Sequence, residues 1–127
     1  MKKKALVMVI EDESLLLDAI TKKMAHMKIE TVSYTEGHDA ISYLKKNKRL
    51  PNIIWLDYYL KGKLNGLDIL RELKSNKKWA KIPVVVVSNT ASDDKVKTML
   101  GLGIEKYLLK ADHRLEEIID IMEDLLE

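Results

Sequence analysis

Apolar runs of strand length alternate with segments of helical period, and the alternation recurs five times along the chain. The first run, ALVMVI (5–10), is continuous, as in a strand covered on both faces. SLLLDAITKKMAHM (14–27) then sets Leu16, Ile20, Met24 and Met27 at helical spacing, which predicts a helix that Asp12 or Ser14 can cap. IETVSY (29–34) is shorter and more polar and suits an edge strand. EGHDAISYLKKNK (36–48) predicts a second helix with Ala40, Ile41 and Leu44 on one side. After Pro51, NIIWLD (52–57) reads as the third strand, and GLDILRELKSN (66–76) carries Leu67, Leu70 and Leu73 as a helical stripe. IPVVVVS (82–88) has four consecutive valines, whose β-branching marks a central strand. SDDKVKTMLGLG (92–103) opens on a capping serine and two acids and closes on glycines, the polarity of a helix. EKYLLK (105–110) and DHRLEEIIDIMEDLLE (112–127) supply the last strand and helix. Trp55 and the methionines at 24, 27, 99 and 122 are expected in the core.

Strand followed by helix, five times over with short connections, implies an α/β fold: a five-stranded parallel sheet with five helices on both faces. The flavodoxin-like order 2-1-3-4-5 suits five strands, and residues 1–127 form one domain. No apolar run approaches the ~20 residues that cross a bilayer, so no membrane role is expected. MKKKALVMVIEDE begins like a signal peptide but meets acids at once and lacks a small-residue cleavage site, which points to a cytoplasmic chain. The absence of cysteine excludes disulfides, thiolate metal sites and cysteine nucleophiles. A net charge of +2 is too weak a bias to imply nucleic acid, and the lysines at 2–4, 45–48 and 77–78 read as solvated tails and turns.

In an open parallel sheet, ligands bind beyond the carboxyl ends of the strands. The first strand ends in Glu11 and Asp12, the third in Asp57, the fourth in Ser88 and the fifth in Lys110, whereas the edge strand ends only in Tyr34 and Thr35. The predicted order sets the four polar ends side by side. Carboxylates gathered this closely need protons or a cation, and an oxygen-only donor set favours a hard ion such as Mg2+. With an ammonium from Lys110 and a hydroxyl from Ser88, such a site meets what a transferring phosphoryl group requires, and Asp57 is the candidate nucleophile.

The segments VIEDE, LDYYL…NG, VVVVSNTA and YLLK, in this order and spacing, resemble the receiver domain of two-component response regulators over essentially the whole chain. That resemblance implies that Asp57 accepts a phosphoryl group from a sensor histidine kinase or phosphotransfer protein. It implies that Asp12, Asp57 and the main-chain carbonyl of Tyr59 hold Mg2+, with Glu11 assisting. Ser88 and Lys110 would hold the phosphoryl oxygens, Tyr107 would rotate inward as Ser88 moves, and Tyr59 and Thr90 would influence the rate of hydrolysis. The expected role is a stand-alone receiver, not an enzyme on a separate substrate, acting on a downstream protein target through the fourth helix, fifth strand and fifth helix.

Five departures from the family pattern stand out. Glu11 occupies a position where aspartate is commoner, Lys61 stands where a proline is usual, and Gly66 comes one residue late. Asn89 replaces a small residue, and Ala111 follows the lysine where a proline in a cis bond is usual. The alternatives are a phosphorylation-independent interaction module and an aspartyl-phosphate phosphohydrolase. The latter needs a nucleophilic aspartate after the first strand with an acid two residues on, and Glu11 and Glu13 keep that spacing without the nucleophile. A flavin or nucleotide site lacks its glycine-rich first turn.

Overall fold

The computed structural model describes residues 4–90 and 92–126. Lys2, Lys3, Ala91 and Glu127, which enter the expectations above, lie outside the described residues. The elements follow in the order β1 (Leu6–Ile10), α1 (Ser14–His26), β2 (Glu30–Tyr34), α2 (Gly37–Lys46), β3 (Ile53–Asp57), α3 (Gly66–Ser75), β4 (Val84–Ser88), α4 (Asp93–Gly101), β5 (Lys106–Leu109) and α5 (Leu115–Leu125). All strand pairs are parallel, in the order β2-β1-β3-β4-β5.

The continuous apolar runs are explained by burial on both faces. Because side chains alternate across a strand, Met8, Ile10, Ile54, Leu56, Val84 and Val86 face one way and pack with Ala40, Leu44, Ile69, Leu73 and Met99 of α2, α3 and α4. Val7, Val9, Ile53, Trp55, Val85 and Val87 face the other way, against Ile20 and Met24 of α1 and Ile118, Ile119 and Met122 of α5. Trp55 is fully buried at the centre of this second layer, where truncation to alanine would cost about 3–5 kcal/mol. Met24, Met99 and Met122 are buried as expected, while Met27 is half-buried at the end of α1. Lys4, Lys45, Lys46, Lys48, Lys77 and Lys78 are exposed.

Two local expectations change. Neither Asp12 nor Ser14 caps α1: Ser14 is already helical, Glu13 takes the cap position, and no side chain bonds the first turn. The nearest carboxylate, Glu11, instead accepts from the Glu13 amide at 3.2 Å. The second, fourth and fifth helices are shorter than their sequence patterns. For α5 the reason is a turn in which the Asp112 amide donates to the Leu109 carbonyl at 3.1 Å, so that helical bonding starts only beyond Arg114. The Lys110–Ala111 peptide is trans.

Candidate functional site

Sheet register brings the site together. Ile10 pairs with Leu56, so Glu11 emerges beside Asp57; Asp57 pairs with Val87, so Ser88 lies one step further along the neighbouring strand. Ser88 in turn pairs with Leu109, and the Lys110 amide donates to the Ser88 carbonyl at 2.9 Å. Glu11 and Lys110 are thus the first groups beyond β1 and β5, and Asp57 and Ser88 the last within β3 and β4. The backbone fixes where they stand.

Asp57 is 3% exposed and Glu11 and Ser88 are fully buried, while Asp12 is half-exposed. Oxygens of Glu11, Asp12 and Asp57 all lie within 4.8 Å of one another. Two like charges about 4 Å apart repel by about 4 kcal/mol at an effective dielectric of 20, so the cluster needs a counter-charge. Lys110 supplies one: its Nζ lies 3.0 Å from Glu11 Oε1, 3.4 Å from Asp57 Oδ2 and 3.5 Å from Glu13 Oε2. The approach to Glu11 is close but off-angle for a hydrogen bond, leaving Glu11 Oε1 buried with charge compensation and no donor.

The titration behaviour follows from this crowding. Burial first, then the hydrogen bond and negative charge of Glu11, push the Asp57 carboxyl up to about 8, against smaller opposing pulls from Lys110 and the Tyr59 amide. Burial alone would lower the Lys110 ammonium, but Glu11, Asp57 and Glu13 outweigh it and hold it above its ordinary value.

The donor set fits a divalent cation. Three carboxylates supply oxygen ligands only, one of them has a buried oxygen lacking a donor, and Asp12 opens the cluster to solvent. The candidate nucleophile stands in the same cluster: the Asp57 carboxyl lies 3.4 Å from the Lys110 ammonium and one strand away from the buried hydroxyl of Ser88.

The loop from Asp57 to Gly66 carries the two departures at Lys61 and Gly66. Asn65 accepts from the Asp68 amide at 2.9 Å, and Asp68 accepts from the Asn65 amide at 3.0 Å, a reciprocal cap that starts α3. A Cβ on Gly66 would stand 2.6 Å from the Asp57 carbonyl oxygen and 2.8 Å from Tyr58 Cα, so only glycine lets the chain return this close to Asp57. Lys61 forms an isolated bridge with Glu36, and Gly62 turns the chain at a φ of 90°.

The remaining predicted residues line the mouth of the site. Tyr59 is 44% exposed and its amide donates to Asp57 Oδ1 at 3.2 Å. The Thr90 amide donates to Ser88 Oγ at 3.4 Å, and the half-buried Tyr107 donates its hydroxyl proton to the Thr90 carbonyl at 2.9 Å. Sequence reasoning missed two participants. Glu13 reaches Lys110, a contact its place two residues after Glu11 could have suggested. Lys95 reaches Tyr59 across 36 positions, with no local pattern to betray it.

The comparisons with known proteins agree with this geometry. Residues 7–123 match the family model described as the response regulator receiver domain. Among curated proteins, the chain is 31% identical over 126 residues to protein-glutamate methylesterase/protein-glutamine glutaminase 3 of Geobacter sulfurreducens, covering 97% of this chain and 32% of that protein. It is 21% identical over 104 residues to chemotaxis protein CheY1 of Helicobacter pylori, covering 82% and 83% of the two. It spans less than half the length of the Geobacter protein and of the Arabidopsis thaliana and Oryza sativa regulators it also matches. Among solved structures, the phosphorylated cyanobacterial phytochrome response regulator RcpA superposes with a TM-score of 0.83 at 26% identity, covering 97% of this chain and 91% of that one. A family match across nearly the whole chain, joined to the strand order and the acidic pocket, places this protein in the receiver-domain family of response regulators.

Proposed function

We propose that Asp57 accepts a phosphoryl group in a magnesium-dependent reaction, and that the change this causes is read by a partner protein on the face formed by α4, β5 and α5. The observation that carries this reading is the convergence on one buried carboxylate. Asp57 has Glu11 and Asp12 within ion-sharing distance and the Lys110 ammonium 3.4 Å away. RcpA, a solved relative, is described as phosphorylated, which supports the same chemistry here.

The donor is a phosphohistidine of a sensor kinase or phosphotransfer protein, which sets the transfer in the cytoplasm. An Asp57 carboxylate oxygen bonds to phosphorus as the phosphorus–nitrogen bond breaks, and the electron pair of that bond stays on the imidazole. Asp12, Asp57 and the Tyr59 carbonyl would hold Mg2+, with Glu11 assisting. When bound, the cation offsets negative charge building on the phosphoryl oxygens. Lys110 Nζ exchanges carboxylate contacts for a phosphoryl oxygen, and the Ser88 hydroxyl donates to another. Tyr107, released or held by the loop after Ser88, carries the change toward α4 and β5. The chain serves as the acceptor and promotes its own loading and hydrolysis, and does not act on a separate substrate.

Incubation with acetyl phosphate and magnesium followed by intact mass tests this. One phosphoryl mass is expected on the wild type and none on Asp57→Asn or in excess chelator. An unmodified wild type under these conditions would overturn the reading and leave a phosphorylation-independent interaction module.

A further inference from the structure

A small strap of hydrogen bonds crosses the strand ends, and its keeper is Lys95 in the first turn of α4. Lys95 Nζ donates to the Tyr59 phenol oxygen at 2.6 Å, and Thr90 Oγ1 donates to the same oxygen at 3.0 Å. The ammonium also lies 4.9 and 4.8 Å from the centroids of the Tyr58 and Tyr59 rings, within cation–π range. The lysine is itself seated by its amide, which donates to the capping Ser92 Oγ at 3.3 Å.

Topology says what this strap covers. Tyr59 stands two residues beyond Asp57, Thr90 two beyond Ser88, and β3 and β4 are neighbours with Asp57 opposite Val87. The Tyr59–Thr90 bond therefore spans the gap in which a phosphoryl group on Asp57 would meet the Ser88 hydroxyl. Both ends are tied to that gap, by the Tyr59 amide on Asp57 and the Thr90 amide on Ser88. The Tyr59 ring is close to half exposed, so its position depends on its few polar contacts. A single exposed contact would contribute little. Here one oxygen collects two donors while the ammonium also stacks on two rings.

We propose that Lys95 is a positioning residue: by holding Tyr59 across the gap between β3 and β4, it restricts the approach of water to a phosphorylated Asp57 and so lengthens the life of the phosphoryl group. The inference rests on the reading of Asp57 as acceptor. In the step it slows, a water oxygen bonds to phosphorus as the bond to the Asp57 oxygen breaks. The carboxylate keeps that electron pair, and both water protons leave with the product as dihydrogen phosphate.

The test loads each protein from acetyl phosphate with magnesium, removes the donor, and follows decay of the phosphoryl adduct by intact mass. Lys95→Met, which keeps the stem and removes the charge, should shorten the lifetime about threefold to tenfold, the scale of one lost solvent-exposed hydrogen bond. Lys95→Arg should restore most of it. In a Tyr59→Ala background the lysine has nothing to hold, so adding Lys95→Met should change nothing further. Thermal melts identify any variant that fails to fold, and Lys95→Leu, which also removes the donor, then replaces Lys95→Met with the same outcomes. A wild-type lifetime in Lys95→Met, or an equal loss in the Tyr59→Ala background, overturns the strap while leaving the acceptor reading intact. A wild type that takes no phosphoryl group overturns both.

Discussion

Lys110 and Asp57 show how single residues acquire function from position. A lysine after a strand is ordinarily solvated, yet this one reaches three carboxylates because backbone pairing to Ser88 leaves its stem beside the pocket. Asp57 was legible as a buried acid at a strand end because an apolar run delivered it. Its environment also makes a pH prediction. The folded-state value of about 8 stands above the unfolded value of 3.8, so the native state binds more protons across that interval. Stability from this group is therefore full below about pH 4 and is lost as pH rises toward 8. In chelator, Asp57→Asn should melt several degrees above the wild type at pH 8 and close to it at pH 4, as followed by circular dichroism. An equal difference at both pH values would contradict the buried, proton-sharing environment. Glu13 could have been suggested by its place two residues after Glu11, whereas Lys95 was not legible at this scale, since it acts across strand ends that no local spacing encodes.

At the scale of elements, the sequence pattern served best where both faces of an element are buried. The four valines of β4 and the run through Trp55 could be nothing but central strands. It served worst at helix ends, where hydrogen bonding over one turn decides the boundary: α1 starts without a side-chain cap and α5 starts after a turn at Asp112. The path between β3 and α3 was also hidden, because it depends on the Gly62 turn and the Glu36–Lys61 bridge. Two substitutions test that path. Asn65→Ala removes one half of the reciprocal cap and should cost about 1 kcal/mol, or about 3–5 °C in the thermal midpoint. Gly66→Ala should cost more, about 1–3 kcal/mol, because its Cβ would press on backbone of Asp57 and Tyr58 that cannot swing away. It should also slow adduct formation by displacing the loop. Adduct formation at the wild-type rate in Gly66→Ala would show that the loop and nucleophile are not coupled.

For the whole molecule, alternating strands and helices left few topologies to consider, and the order β2-β1-β3-β4-β5 followed from that alternation. The site was legible because that order places four polar strand ends together, whereas the identity of the partner in the proposed signalling role is not encoded in any single motif. Cation binding to the folded state alone should raise stability by about 1.4 kcal/mol when magnesium is at ten times its Kd. A melting curve should therefore shift upward with magnesium in the wild type and not in an Asp12→Asn, Asp57→Asn double variant. The most direct measurement localises the bond itself. After reaction with acetyl phosphate and magnesium, borohydride reduction converts a phosphorylated aspartate to homoserine, and peptide mass spectrometry reads its position. The account predicts homoserine at position 57 alone and only when magnesium is present; homoserine at position 12, or at no position, would contradict it.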